Sequence, residues 1–330
     1  LNNDFVLDPT NTAKLRSAGV PEEFLATGDR KNYHNFSPRL RFSYDISGDN
    51  STVLSGGYAR SYDRPPLNDV NAEERGFNWL QATVPFEALG GFPFSTDPAV
   101  LRGYAASLGV DNIAPNVTLL SNDVANPYFD DFSIGVNQRI NSKISGSMNL
   151  VLKNMHDGFA SYNFNPFIDG GQTRRVTDEY GDIFLADDVW SSSYRAMLMT
   201  IRRVYSDGWM FQFNYTLARV TTELQRPLEE GVFEDVDAST DERHRFLLTG
   251  IYTLPWDIRV SGIFTLASPT PRNAVTGTDD NMDGDPDNDF LDGQPFNWRP
   301  SGFENWYRSL DMNIAKTFRL GSGNAIELRL

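Results

Sequence analysis

The sequence predicts an all-β protein, specifically one part of an antiparallel transmembrane β-barrel with long extracellular loops. Three observations predict it. Apolar and polar residues alternate with a period of two in ten segments. These segments form pairs that are joined by short polar turns. The connections between the pairs are long and acidic, an asymmetry that membrane barrels have and soluble sandwiches usually lack.

The ten predicted strands follow one another as five pairs. In the segment 244–254, for example, Phe246, Leu248 and Tyr252 share one face. Such alternation is typical of a strand with one apolar and one polar environment. The predicted pairs are 39–46 with 52–60, 129–140 with 143–153, 194–205 with 209–220, 244–254 with 258–266, and 308–318 with a last strand ending at Leu330.

The domain organisation follows from these strands. Residues 1–38 are expected to form an extracellular loop segment that enters the first strand, and residues 39–330 are expected to form the barrel portion. Connections longer than about 15 residues are uncommon in compact soluble domains. A soluble sandwich with aromatic residues capping its hairpins is the alternative. The predicted outer loops are 61–128, 154–193, 221–243 and 267–307.

Charge is separated in the same way. The four predicted loops hold 31 acidic and nine basic residues, a net charge of −22, so the rest of the chain carries +7 of the total of −15. Charge that faces lipid costs about 2–4 kcal/mol at the bilayer midplane, which explains strands that are nearly neutral. An acidic chain is also a poor partner for nucleic acid. The absence of Cys excludes disulfides and thiolate zinc sites.

Aromatic residues lie at the short-turn ends of the predicted strands, where a membrane barrel carries an aromatic girdle. These residues are Tyr44, Tyr205, Trp209, Trp256 and Phe318. The positions predicted to face a hydrated lumen are Arg195, Gln212, Asn214, Thr216, Asn313 and Thr317.

The first long loop is the candidate ligand-contact surface. Aromatic side chains on an exposed loop can bind a ligand, or they can pack the loop against itself; the sequence leaves both open. The candidate residues are Trp79, Phe86, Phe92, Phe94 and Tyr104.

The last long loop contains a calcium-type motif. From Asp279, oxygen-bearing side chains recur at every second position, and Gly284 stands at position 6, where the EF-hand loop turns sharply. Position 12 is Phe290 instead of the usual Glu, and a solvated acidic loop tip is the alternative. No other cofactor is suggested. The candidate calcium ligands are Asp279, Asn281, Asp283, Asp285 and Asp287.

No catalytic residue is predicted, and we do not expect an enzyme. The run from Asp241 to His244 looks like an acid–base group, but it lies where a loop re-enters a strand. A hydrogen-bonding role at the barrel rim is the favoured interpretation.

Several segments resemble TonB-dependent outer-membrane receptors, and most closely their Oar-like branch, which bears a carboxypeptidase-regulatory domain. The resemblance is spread over residues 36–330. It is carried by the hairpin 37–64, by Asn126-Pro127-Tyr128, by Asn214-Tyr215-Thr216, by Asp241-Glu242-Arg243-His244-Arg245-Phe246, and by the strand 310–318.

The resemblance implies a barrel of about 22 strands filled by a plug, so this chain would be a C-terminal portion of that barrel. It also implies the outer membrane of a Gram-negative bacterium as location. The implied partners are outer-membrane lipid and lipopolysaccharide, an unknown ligand, and an inner-membrane TonB complex that acts through a plug domain outside this chain. The alternatives are a non-transporting surface barrel for adhesion or assembly, and a secreted all-β domain that binds or hydrolyses glycans.

Overall fold

The structure, a computed structural model, describes residues 6–26, 35–64, 73, 95, 97–107, 114–168, 173–225, 233–282, 286–293, 295–296, 298–320 and 324–330. Its main feature is one large sheet. Ten strands follow one another through this sheet in the order β1-β2-β4-β5-β8-β9-β11-β12-β13-β14, each antiparallel to its neighbours. Two shorter strands are added at its margin: β10 pairs with β9, and β3 pairs with β8 in the parallel sense. The predicted all-β, mostly antiparallel fold is confirmed.

The described strands are β1 Arg39–Asp45, β2 Thr52–Tyr62, β3 Val117–Leu120, β4 Tyr128–Arg139, β5 Ile144–Asn163, β6 Phe167–Ile168, β7 Thr173–Arg174, β8 Ile183–Ser206, β9 Trp209–Gln225, β10 Phe233–Asp237, β11 His244–Leu254, β12 Ile258–Ala267, β13 Tyr307–Arg319 and β14 Ala325–Arg329. The described helices are α1 Pro9–Ser17 and α2 Pro98–Ser107. Neither is long and apolar enough to cross a membrane.

The register gathers the apolar residues on one face of the sheet. Strand by strand, apolar side chains and glycine stand opposite one another across the sheet. One such row is Phe42, Gly56, Ile134, Leu150, Met197 and Leu217. A second row, closer to the short turns, is Ile201, Phe213, Leu248, Phe264 and Leu310.

This apolar face is exposed. Leu150 is 47% exposed and Leu310 is 63% exposed, although a soluble sandwich would bury both against a second sheet. Among the described strands no second sheet covers this face. The sandwich alternative is therefore wrong, and the face has the composition that hydrocarbon requires.

Most of the predicted inward positions are confirmed, and one is wrong. Gln212, Asn214 and Thr216 on β9 lie on the face opposite to the apolar rows, as do Asn313 and Thr317 on β13. Arg195, in contrast, stands opposite Leu152 and shares the apolar face. Side chains alternate strictly along a strand, so Arg195 must face the same way as Met197.

The short turns lie at one end of the sheet and have the backbone angles that tight hairpins need. Asp207 and Gly208 both have positive φ, 56° and 86°, as in the two-residue type I′ turn that suits the twist of the strands. The Lys143 ammonium lies 2.6 Å from the Asp207 carboxylate and links this turn to the neighbouring one. That hydrogen bond lowers the pKa of Asp207.

All five aromatic residues of the predicted girdle lie at this end. All five are exposed to some degree, from 37% for Trp209 to 78% for Trp256 at the tip of the β11–β12 turn. An exposed indole is unfavourable in water and favourable at a membrane–water boundary. The predicted position of the girdle is confirmed.

At the other end the strands run further than the alternation predicts. β5 continues to Asn163 and β8 begins at Ile183, so much of the segment predicted as loop 154–193 is strand. The pairing shifts register around Gly158. A bulge of this kind adds a residue to one strand and breaks the period of two, which is why the alternation ends there while the pairing does not.

The other predicted loops also contain regular structure. β9 continues to Gln225 and pairs with β10, inside the segment 221–243. The segment 61–128 contains α2 and β3. The segment 1–38, predicted as a loop, contains α1.

Candidate functional site

The long connections converge at the end of the sheet opposite to the tight turns. Because neighbouring strands are antiparallel, each short turn places the next connection at the far end. Residues 6–26 also lie there, since they pack on β3 and the beginning of β8. This end, which we call the long-loop end, is the candidate functional site.

A small hydrophobic core lies at the long-loop end. We call the part of the chain that builds it the cap: residues 6–26, β3, residues 162–168 and residues 173–185. Its centre is fully buried, with Leu15, Leu119, Ile183 and Leu185 at 0% exposure. The remaining members of the core are Leu7, Val20, Phe24, Leu25, Ala26, Val117 and Tyr180.

Local sequence signals explain why α1 forms. The Asp8 carboxylate accepts hydrogen bonds from the backbone N–H groups of Thr10 (2.8 Å) and Asn11 (3.1 Å), as an N-cap residue does. At the other end Gly19 has φ 84°, and the Val20 N–H donates to the Leu15 carbonyl at 3.1 Å. This is the Schellman arrangement, which also brings the side chains of Leu15 and Val20 together.

Polar contacts fasten the first segment of the cap, residues 6–26, to its last segment. The Tyr180 hydroxyl donates to Asn11 Oδ1 at 2.8 Å, and Lys14 pairs with Glu179 at 2.9 Å. Burial raises the pKa of Tyr180 to about 12. Residues 6–26 are thereby joined to a connection more than 150 positions further along the chain.

Asn165 organises the connection between β5 and β8 from a fully buried position. Its side-chain amide N–H groups donate to the carbonyls of Thr177, Tyr180 and Gly181 at 2.8–3.2 Å. Its side-chain oxygen accepts from the backbone N–H of Val176 at 2.9 Å. The same oxygen accepts from the Thr177 N–H at 3.1 Å, so one amide binds five backbone groups of this connection.

A network of arginine and aspartate joins the last two long connections. Asp241 is 0% exposed and accepts hydrogen bonds from Arg243 (2.7 Å), Arg299 (2.5 Å) and the Val220 N–H (2.7 Å). Asp237 accepts from both guanidinium groups at 3.3–3.4 Å. Arg299 comes from the segment 267–307, so the network fixes that connection against β9 and β11.

His244 belongs to the same rim. Its Nδ1 lies 2.9 Å from the Tyr215 hydroxyl, and its ring stacks on Trp306 with centroids 5.9 Å apart. The backbone N–H of His244 donates to the Ser268 hydroxyl at 2.9 Å. These contacts are those of a rim residue that ties a strand to two neighbours, as the sequence indicated.

A second polar cluster lies on the apolar face, one row beyond its last apolar residues. Arg60 donates to both oxygens of Asp130, at 2.9 and 2.8 Å, and the Tyr58 hydroxyl donates to the same carboxylate at 2.6 Å. The guanidinium lies 4.2 Å from the Tyr128 ring centroid, and that ring stacks on His156. Bidentate pairs and amphipathic rings suit the boundary between hydrocarbon and water.

Only one of the five predicted ligand-contact aromatic residues lies among the residues that the structure describes. Tyr104 lies on α2 and is half-buried. Trp79, Phe86, Phe92 and Phe94 lie outside the described residues. The two interpretations of this loop, ligand contact and self-packing, both stay predictions.

The calcium-type loop is held by its own hydrogen bonds where it is described. The Asp280 N–H donates to the buried Asp289 carboxylate at 3.0 Å, and the Thr278 hydroxyl donates to Asp280 at 2.6 Å, which lowers the pKa of Asp280. Of the candidate ligands, Asp279, Asn281 and Asp287 are described, whereas Asp283 and Asp285 are not. Within the described part of the chain no three carboxylate or imidazole groups are arranged to hold a metal.

Sequence reasoning missed the cap and Asn165. The cap had a readable signal, because Asp8-Pro9 and Gly19 mark the two ends of a short helix. Asn165 had none, since its role depends on backbone groups that meet it only in the folded connection.

Comparison with known proteins places these features in a family. The family described as the outer membrane beta barrel domain matches residues 2–329. No curated protein matches the sequence.

Among solved structures, the outer membrane transporter YddB from Escherichia coli is similar, with 13% identity over 86% of this chain and 35% of its own, at a TM-score of 0.52. The siderophore receptor PirA from Acinetobacter baumannii has 12% identity over 87% of this chain and 35% of its own, at 0.49. A mutant of the ferric enterobactin receptor PfeA from Pseudomonas aeruginosa has 16% identity over 89% and 34%, at 0.48.

The chain spans about a third of the length of these structures. At these identities the likeness concerns the fold, and YddB shares it. The exposed apolar face, the aromatic girdle and the family match over nearly the whole sequence all indicate a membrane β-barrel. The chain belongs to the outer-membrane β-barrel domain family, and its sheet is barrel wall in the outer membrane of a Gram-negative bacterium.

Proposed function

We propose that this chain is a C-terminal portion of the barrel of a TonB-dependent outer-membrane receptor of the Oar-like branch, which captures a ligand at its long-loop end and admits it. The observation that carries the proposal is the long-loop end itself. The described parts of its connections have their own hydrophobic core and an ion pair with a buried carboxylate, and outer surfaces held in this way are suited to recognition. The membrane wall beneath supplies the passage.

The charge of the long connections points to the kind of ligand. Their net charge of −22 creates a negative potential that attracts cationic ligands and repels anionic ones. The aromatic side chains of the segment 61–128, Trp79, Phe86, Phe92, Phe94 and Tyr104, add apolar contact surface. We therefore propose a ligand that combines positive charge with an apolar or aromatic part.

The proposed partners follow from the proposed location and class. Outer-membrane lipid and lipopolysaccharide surround the wall, and an inner-membrane TonB complex supplies energy through a plug domain that is not part of this sequence. The proposed role is transport without an enzymatic step and without a required cofactor.

The test is the depletion of solutes from growth medium by living cells. Strains with and without the gene, each with and without TonB, are grown in the same medium, and the remaining solutes are measured by mass spectrometry. We expect at least one cationic solute to be depleted only when both the gene and TonB are present. Depletion that needs the gene but is independent of TonB would contradict the proposal.

Measuring cell attachment with the same strains tests the alternative of a surface barrel for adhesion or assembly. A surface barrel that only adheres changes cell attachment in both TonB backgrounds and depletes no solute. The secreted glycan-binding alternative is wrong, because the chain belongs to an outer-membrane barrel family.

A further inference from the structure

Polar residues form a boundary along the apolar face at the long-loop end. In each central strand the last apolar residue is followed, two positions further on the same face, by a polar or charged one. Along the sheet this series is Arg60, Asp130, Asn154, Arg195, Arg219 and His244. It marks the level at which the wall leaves the hydrocarbon and meets the lipid headgroups.

Two arginines stand directly opposite each other in this series. Arg195 on β8 pairs in register with Arg219 on β9. Directly opposed residues have Cβ atoms about 4.5–5.5 Å apart, and like charges there are destabilising unless something compensates them. Leu152, Met197 and Leu217 lie beside or immediately below them on the same face.

The positive charges of these two arginines are only partly neutralised by carboxylates. Arg195 is exposed, and within the described ranges no carboxylate forms an ion pair with it. Arg219 has a carboxylate, since its Nε lies 3.1 Å from Asp237. However, Asp237 is shared with Arg243 and Arg299.

Four described arginines lie in this part of the rim: Arg195, Arg219, Arg243 and Arg299. Only two carboxylates, Asp237 and Asp241, pair with any of them in the described part of the chain. The guanidinium groups of these four arginines therefore outnumber by two the carboxylates that pair with any of them in the described part of the chain. The next carboxylate on this face of β9 is Glu223, about 13 Å further along the strand. One row further out Thr221 opposes Ser193 and adds a hydroxyl group, whereas the Ser193 hydroxyl already donates to Asn154 Oδ1 at 3.0 Å.

We propose that Arg195 and Arg219 bind a phosphate group of a lipid of the outer leaflet. Two guanidinium groups side by side match a phosphate, which accepts several charge-assisted hydrogen bonds at once. The apolar residues beneath them accommodate the acyl chains of the same lipid, so one molecule satisfies both parts of the surface. The proposal rests on the lipopolysaccharide contact proposed above and is independent of whether the barrel transports a ligand.

The experiment measures binding of lipid A to the detergent-solubilised intact outer-membrane protein by native mass spectrometry. The probes are diphosphorylated lipid A, the same lipid A after removal of its phosphates, and inorganic phosphate alone. We expect the wild-type protein to retain the phosphorylated lipid, to retain the dephosphorylated lipid at least tenfold more weakly, and not to bind inorganic phosphate at 1 mM.

The key variant is Arg195→Gln, because this side chain has no described partner whose loss could disturb the fold. We expect about fivefold weaker retention for this variant and more than tenfold for Arg195→Gln combined with Arg219→Gln. Arg195→Lys with Arg219→Lys keeps the charge and should retain most of the binding. Lys153→Gln is the matched control, since Lys153 lies on the neighbouring strand β5 and on the opposite face.

Equal retention by wild type and the double Gln variant would overturn the proposal, as would equal retention of the two forms of lipid A. Binding of inorganic phosphate with the affinity of the lipid would assign the site to a free anion instead. Each variant is first tested for the heat-dependent gel shift of a folded barrel. The solute-depletion assay runs independently, so a failure of transport and a failure of this lipid site are distinguishable.

Discussion

Asp241 and Glu242 are neighbours in the sequence and differ completely in environment. Asp241 is buried and accepts from two arginines and a backbone N–H, whereas Glu242 forms one ion pair with the half-exposed Arg245. Removing one partner of a buried ion pair costs about 3–5 kcal/mol, because the other charges stay buried without compensation. An exposed pair contributes less than about 1 kcal/mol.

We therefore expect Asp241→Ala to detach the segments 221–243 and 267–307, and to speed their cleavage by trypsin by more than tenfold. Glu242→Ala is the matched control and should leave the cleavage rate within about twofold of wild type. Equal cleavage of the two variants would show that the buried network does not hold these connections.

The calcium-type loop leads to a prediction about which individual side chains bind Ca²⁺. The oxygen-bearing side chains of Asp279, Asn281, Asp283, Asp285 and Asp287 have EF-hand spacing, and hard oxygens are the ligands that Ca²⁺ requires. The sequence predicts Ca²⁺ binding by this loop, with a solvated acidic loop tip as the alternative, and calorimetric titration of the intact protein with Ca²⁺ distinguishes the two. The combined change Asp279→Asn and Asp283→Asn should abolish the heat signal. A wild-type protein that gives no signal below millimolar concentration contradicts the prediction.

At the scale of secondary-structure elements, the attachment of α1 depends on a protonated phenol. The pKa of Tyr180 is raised to about 12 by burial, against about 10 for an exposed tyrosine. Because the pKa is higher in the folded cap, the neutral hydroxyl stabilises the cap fully below pH 10. This contribution is lost as the pH rises from 10 to 12.

Alkaline titration of phenolate absorbance near 295 nm checks this prediction. The difference between the wild-type protein and Tyr180→Phe isolates one group among the 13 tyrosines, and we expect it to titrate near pH 12. A difference curve with a midpoint near pH 10 would mean that Tyr180 is not buried against α1.

The strands themselves show what a pattern of side chains can predict. Their short-turn ends agree with the alternation within a residue or two, because a tight hairpin fixes the register on both sides. Their long-loop ends do not agree, since β5 and β8 remain paired beyond Lys153 and Tyr194 through a bulge. Backbone hydrogen bonds hold such a region together, and these bonds leave no periodic trace in the side chains.

At the scale of the whole molecule, one face of the sheet is a continuous apolar surface. Leu150 lies in the middle of a row that crosses six strands, at a level where a charged residue costs about 2–4 kcal/mol in a bilayer. We expect Leu150→Arg to reduce the fraction of protein that folds into lipid vesicles by at least tenfold, measured by the gel shift of the folded barrel.

Ser147→Arg is the control for this substitution. Ser147 lies on the same strand and faces the other way, opposite Asn137 and Thr200. Its replacement should leave folding nearly unchanged, because that face is hydrated in a barrel. Equal loss of folding in the two variants would contradict the assignment of the faces.

The sequence by itself determined the fold class, the number and order of the ten main strands, and the face of each strand that meets lipid. It could do so because alternation is a local property and a bilayer imposes it on every strand alike. Only the tertiary structure decided how the long connections are arranged. The cap and the Asp241 network join residues that are far apart in the chain, and the pairing of Arg195 with Arg219 depends on the register between two strands. Asn165 reaches backbone groups 11–16 positions away that meet it only in the folded connection. Contacts of that kind arise only when the sheet brings distant segments to the same end, so no local pattern records them.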